Sequence, residues 1–468
     1  MAGLLAAVCA APVAAQPDPA RDLHDLLALV ESVHPDPYRY VSEAVLAGRA
    51  EREAELLDAM ESATDLDVAR GMHRVLSLVG DSHFAVALPS FQPGVRPGPF
   101  LLPMLPRKVG ERILVDASIP AFPRGTELIE LQGQPIEDVW TELSSLALVD
   151  GDRPAARRAR VERDFTLHFH LGFGTDSTYS MRVRLPDGEE QIIALDPVTP
   201  TELGALSRGR VSAPSRGAPP QGLPAYPWLV DAPRGAKLLR MPTFGVADQA
   251  AYRDRVDALF ASLQGAEPLV LDLRGNDGGF RTNGIAVLEH LIDGDYAQWV
   301  NIATRTREIP GALRARVTFP FSAPDVLATF PGERAGELWR FEGDPFSDQM
   351  RGSKPHHAGP VVVFADDATN SAAVEMIVAL RAARADVVVI GTETIGECGR
   401  HIGEIPILFT GRTDVRVLMS VAAIEHVPTR GCEPGRGVVP DVEVRYSEAD
   451  FMEGVDPFVA LLRTVLER

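Results

Sequence analysis

Lysine is almost missing from this chain of 468 residues: Lys108, Lys237 and Lys354 are the only three among 46 basic residues. Acidic residues number 65, which leaves a formal net charge of −19. A polyanionic partner needs clustered Lys and Arg, so nucleic acid is excluded as a partner. After the first fifteen residues no apolar run approaches about eighteen, so no stable membrane span is expected. Cysteine is scarce too, with Cys9, Cys398 and Cys432 alone. What remains is ordinary for a globular protein, 45% hydrophobic and 24% charged, and long enough for two or three domains with substantial cores.

Residues 1–15, MAGLLAAVCAAPVAA, form a short apolar stretch ending in Val13-Ala14-Ala15. They read as a signal peptide with a small-residue cleavage site, which predicts a periplasmic or secreted protein. Its removal takes Cys9 and leaves an even pair. In an exported chain that predicts a Cys398–Cys432 disulfide.

Residues 16–90 read as an N-terminal helical domain. Helical spacing around His24–Val30, over Ala44–Met60 and over Asp65–Leu78 gives a bundle of three. It breaks at Gly80-Asp81-Ser82-His83-Phe84, just before the strand-like Ala85–Leu88. From about Pro97 to Pro200 the pattern is of short strands, and Gly125–Ile136 resembles the second half of a PDZ domain. Residues 91–202 are therefore assigned to a PDZ-like β-rich domain. Its carboxylate-binding loop is replaced by Gly98-Pro99-Phe100-Leu101-Leu102-Pro103, whose prolines remove donors, so a gate or scaffold is expected rather than a reader of C-termini. Residues 203–228, dense in Gly, Pro, Ser and Arg, read as a linker, and 229–468 as an α/β core.

Two stretches of the core carry chemistry. LVLDLRGNDGG, Leu269–Gly279, is a buried strand, then a glycine turn, then a helical pattern over Thr282–Ile292. Such turns aim backbone N–H groups at one point, or serve packing alone. In the second, strand Val361–Phe364 leads through Asp366–Asn370 to Ser371, at the start of a helix over Ala372–Arg384. A serine there is either an N-cap or a nucleophile beside free N–H groups.

LVLDLRGNDGG, TNSAAVEMIVAL, VVVIGTETIG and GVVPDVEV, in that order, resemble the carboxyl-terminal-processing and tricorn-type serine peptidases. The resemblance implies a core similar to the ClpP/crotonase fold. It also implies Ser371 as nucleophile and an oxyanion hole from the N–H groups of Gly278 or Gly279 and of Ala372. The carboxyl-terminal-processing type uses a Ser-Lys dyad, but Glu397 stands where its lysine would fall and no lysine follows Lys354. The tricorn-type pattern places a Ser-His pair before a strand, here Ser82-His83, with His83 as general base. It places a glutamate before GVVPD to orient the imidazole. Glu433 stands there, one residue off the usual spacing, with Glu397 as the other candidate.

The expected function is that of an exported serine peptidase acting on peptides or unfolded proteins by a Ser-His-Glu mechanism. The competing class is a non-catalytic ligand or peptide binder on the same fold. Activity is expected to rise through an imidazole pKa of about 6 to 7. No cofactor and no metal are expected, since His356-His357 and His168-x-His170 lack a third ligand at a zinc-motif spacing.

Overall fold

The structure, a computed structural model, describes residues 17–87, 100–116, 122–208, 222–263, 265–347, 350–352 and 356–467. The signal-peptide reading, the Gly98-Pro99 pair and half of the linker reading lie outside the described residues.

Three helices open the chain, Pro19–Val33, Glu43–Asp58 and Asp65–Val79. Each has a polar side chain accepting from its first turn, Asp18, Ser42 and Thr64 in order. Thr64 and Asp67 complete a reciprocal capping box, satisfying two N–H groups that a helix start leaves unpaired. The third helix ends at Gly80, whose φ of 73° is the left-handed stop that favours glycine. The chain is thereby turned into the loop carrying Asp81, Ser82 and His83.

That loop leads into the short strand Ala85–Ala87, which pairs antiparallel with Arg416–His426, Ala85 opposite Leu418. Arg416–His426 is the centre of a seven-stranded sheet that also contains Arg400–Thr410, Trp299–Thr304 and Leu338–Glu342. The bundle packs on this sheet: Leu23, Leu26, Met72, Leu76 and Phe84 share one core with Ile407, Phe409, Val417 and Met419. Burying a leucine in such a core contributes about 2 kcal/mol, so the contact is well able to hold the loop in place.

A second sheet carries the chemistry-bearing turns. Its order is Val442–Glu443, Val388–Gly391, Val361–Ala365, Leu269–Asp272, Lys237–Arg240 and Trp228–Asp231. All neighbours are parallel except the last pair. Val361–Ala365 is buried at every position, as expected of a strand covered on both faces. Leu271 pairs with Val363, so the glycine turn and the Ser371 turn leave the same edge side by side.

The third sheet runs Pro106–Val109, Arg112–Val115, Glu127–Leu131, Tyr179–Arg184 and Glu190–Leu195. Here the expectation of short strands alone is corrected, because the helices Ile136–Ser145 and Pro154–Phe173 cover it. The second opens on a proline at its start, where no N–H is needed, and presents Ala156, Val161, Phe165 and Phe169 to the sheet. Its many arginines are good helix formers that mask this stripe in a strand-oriented reading. Helix Pro200–Arg208 likewise occupies the start of the stretch read as linker.

Candidate active site

Ser371 follows the strand Val361–Ala365 and a tight turn, and opens the helix Ala372–Ala383. Its backbone stands at φ 49° and ψ −128°, a region a non-glycine residue enters at a cost of about 1–3 kcal/mol. The hydroxyl caps no N–H of the helix. Instead Ser371 Oγ stands 3.2 Å from His83 Nε2, across 288 residues of sequence. Ser371 N–H donates to Asn370 Oδ1 at 2.8 Å, which holds the strained turn. Relief of that strain should be measurable. Ser371→Gly is expected to be more stable than Ser371→Ala by about 1 kcal/mol in denaturant unfolding. Equal midpoints would deny that the turn is strained.

His83 is fixed from its other side. Asp81 Oδ1 accepts from the His83 backbone N–H at 2.8 Å and lies 3.3 Å from His83 Nδ1. With Nδ1 donating to this carboxylate, the Nε2 lone pair faces the serine hydroxyl, the geometry a general base needs. Asp81 Oδ2 stands 3.3 Å from His34 Nε2, while His34 Nδ1 accepts from Asp36 N–H at 3.2 Å. An accepting Nδ1 puts the His34 proton on Nε2, so His34 donates to Asp81. The carboxylate beside the imidazole is thus Asp81, two residues before His83.

The residues expected in that role lie elsewhere, which corrects the sequence reading. Glu433 is exposed, and its carboxylate makes no hydrogen bond or ion pair among the described residues. Glu397 is buried but taken: Arg39 and the Gly435 N–H donate to Oε1 at 2.7 and 2.9 Å, and Tyr40 donates to Oε2 at 2.9 Å. Ser82 is fully buried. Its N–H donates to Asp150 Oδ1 at 2.7 Å and its Oγ accepts from Asn370 Nδ2 at 3.3 Å. Asp150 Oδ2 accepts from the Glu397 N–H at 2.9 Å, so one buried carboxylate ties the His83 loop to the turn after Val388–Gly391.

The glycine turn lies against the serine. A Cβ at Gly278 would come within 2.7 Å of Ser371 Cβ, so only glycine fits. Its N–H, however, donates to Asn276 Oδ1 at 2.9 Å and is spent. The N–H groups of Gly279 and Ala372 make no hydrogen bond among the described residues. Ala372 begins a helix, where free donors are expected.

Charge around the imidazole is unusually negative. Burial by itself would lower the His83 pKa, but its hydrogen bond to Asp81 and the charges of Asp81, Asp150 and Asp277 outweigh it and raise it to about 9. Asp81 is pushed up by burial yet held well below the carboxylate range by His34 and His83. Asp277 is paired with Arg163 at 2.8 Å. The sequence-based expectation of 6 to 7 for His83 is therefore revised upward. Behind the ring His401 stacks at 5.2 Å between centroids.

Cys398 and Cys432 are joined by a disulfide with their Cα atoms 5.4 Å apart, spanning 34 residues. Reduction is expected to lower stability by about 3 to 4 kcal/mol in the chain-entropy picture, read as a shift of the denaturant midpoint. An unshifted midpoint after complete reduction would show that the bond constrains nothing.

Residues 237–444 match the family described as Peptidase family S41. Comparison with curated protein sequences gives no match. Among solved structures, the crystal structure of mature CPAF superposes with a TM-score of 0.63 at 15% identity, covering 96% of this chain and 97% of that one. The structure of mature CPAF complexed with lactacystin gives 0.63 at 16% identity, with 96% and 97% covered. These two likenesses show a shared fold over nearly the whole chain. Residues 237–444 thus carry the match to peptidase family S41, and the chain is a serine peptidase.

Proposed function

We propose that this peptidase cleaves peptides or unfolded proteins with Ser371 as nucleophile, His83 as general base and Asp81 as the carboxylate that orients it. The observation that carries the reading is the unbroken line Asp81 Oδ1–His83 Nδ1 at 3.3 Å and His83 Nε2–Ser371 Oγ at 3.2 Å. A serine hydroxyl is a poor nucleophile until a neighbouring base takes its proton, and a solvated carboxylate is too weak for that task. The imidazole becomes cationic as it accepts the proton, and the three surrounding aspartates stabilise that charge. The tetrahedral oxyanion is assigned to the N–H groups of Gly279 and Ala372, each such donor contributing about 3 kcal/mol in the transition state. Export is part of the proposal and is supported by the disulfide, a bond at home in oxidising compartments.

A fluorophosphonate probe tests the reading and separates it from a non-catalytic binder. Mass mapping should find the adduct on Ser371, with labelling that quickens as pH rises. Adducts on other serines, or none on folded protein, would reject Ser371 as an activated nucleophile.

A further inference from the structure

Beside the proposed catalytic residues lies a second cluster that the hydrolysis does not use. Glu375, His401 and His426 are each 3% exposed or less, and one donor atom of each lies within 4.8 Å of the other two. The two imidazoles meet edge to face at 4.8 Å, and among the described residues their four ring nitrogens have no hydrogen-bond partner nearer than Glu375 Oε1, 3.5 Å from His401 Nε2. Leaving a polar group buried and unpaired costs about 1–3 kcal/mol, so two such rings side by side need an explanation.

The carboxylate beside them is oriented. Glu375 Oε2 accepts from Trp299 Nε1 at 3.0 Å and lies 3.2 Å from Arg281 Nε, while Asp344 Oδ1 shares the same guanidinium at 3.1 Å. Oε1 is left facing the histidines, 3.5 Å from His401 Nε2. One carboxylate oxygen held by outer partners, with the other presented toward two imidazoles, is how metal sites fix a ligand. Each residue also comes from a rigid element: the Ser371 helix, the start of strand Arg400–Thr410 and the end of strand Arg416–His426. Those two strands are paired, His401 standing opposite Ile424.

We propose that Glu375, His401 and His426, brought together by the Ser371 helix and the Arg400–His426 hairpin, form a buried site for a divalent transition-metal cation of the zinc class. Two imidazole nitrogens and one carboxylate oxygen are a donor set zinc accepts, with a fourth position open to water. The other group of this type among the described residues, Asp81, His83 and Asp150, belongs to the catalytic arrangement already described. The cation would fix His401, on whose face His83 stacks, so the site is a positioning device for the base. In that respect it rests on the proposed role of His83, but the existence of the site does not.

The test uses the full chain carrying Ser371→Ala, stripped with chelator and titrated with Co2+, so that hydrolysis plays no part in the readout. The expected result is one bound equivalent with the visible bands of tetrahedral cobalt, displaced by Zn2+. His401→Asn and His426→Asn, checked for folding by circular dichroism, should each weaken binding more than about 100-fold. Trp299→Phe, which keeps all three ligands and removes one outer partner, should weaken it roughly 10-fold. His83→Asn should leave it in place. Absence of cobalt binding, or bands that survive the His401 and His426 substitutions, would overturn the proposal. If those two variants do not fold, unchanged affinity in Trp299→Phe together with lost affinity in His83→Asn would do the same.

Discussion

Replacing His83 with alanine is expected to lower kcat by roughly 10^4- to 10^6-fold with little change in KM. Proton removal from Ser371 happens on the way to the transition state, so loss of the acceptor is felt there and not in substrate binding. Ser371→Ala should cost about as much, and the double variant no more than either alone, because the two residues act as one unit. Both singles should stay folded, since Ser371 Oγ caps no helix N–H and His83 stands in the loop before Ala85–Ala87 rather than within a helix or strand. Steady-state kinetics on a peptide library, with unfolding curves for each variant, supply the measurement. Near-full activity in His83→Ala would place the base elsewhere. His401, stacked behind it at 5.2 Å, would then be the first residue to substitute.

The second large effect is expected at Asp81. Asp81→Asn should reduce the plateau rate by about 10^4-fold, the loss typical when an orienting carboxylate becomes an amide. The reason here is a conflict of donors. Oδ1 receives the His83 N–H and faces Nδ1, while Oδ2 faces the His34 Nε2 that carries its proton. An asparagine has one acceptor oxygen and one NH2, so either way round a donor meets a donor. With NH2 toward His83, the ring is driven to the tautomer whose Nε2 carries hydrogen and cannot act as base.

The same substitution should move the pH profile. In chelator-treated wild type, kcat/KM should climb about tenfold per pH unit and level off near pH 9, because only the neutral imidazole accepts a proton and its pKa is raised to about 9. The groups facing the ring are Asp81, Asp150 and Asp277, which raise it, with Glu404 and His401 behind. Removing the Asp81 charge and hydrogen bond lets burial count for more, so the pKa falls and the rise begins at lower pH. A profile that keeps its midpoint while losing amplitude would mean that Asp81 only supports the loop.

The parts of this site that were legible in the sequence are those built from neighbours in the chain. Ser371 could be found because strand, turn and helix start follow one another within a dozen residues, and the glycine turn for the same reason. His83 could be found because a helix break and a strand flank it. Asp81 lies in the same five-residue loop, whereas the family resemblance points to the glutamate before the GVVPD motif, where Glu433 proves to be exposed. The missed signal was an acid two residues from a histidine at a helix stop, close enough for its side chain and the loop backbone to enclose the ring. Glu375, His401 and His426 carry no such local mark. Their meeting depends on the long hairpin Arg400–His426 folding over the Ser371 helix, and strand pairing at that distance leaves no periodic trace in any one segment. The helix Pro154–Phe173 was hidden differently, by an arginine-rich face that dilutes its apolar stripe.

The strand Ala85–Ala87 that follows the His83 loop finds its partner, Arg416–His426, far along the chain. A polypeptide made from its N-terminus therefore emerges with the bundle and the His83 loop already formed, but with nothing to dock that strand against. At ordinary rates of synthesis the partner follows roughly 20 to 70 s later. Closing so long a loop also comes late in folding, because its entropy cost must be met before its contacts form. Throughout that interval Ser371 is either not yet made or has no base beside it. On the proposed assignment, hydrolytic power is withheld until that sheet closes.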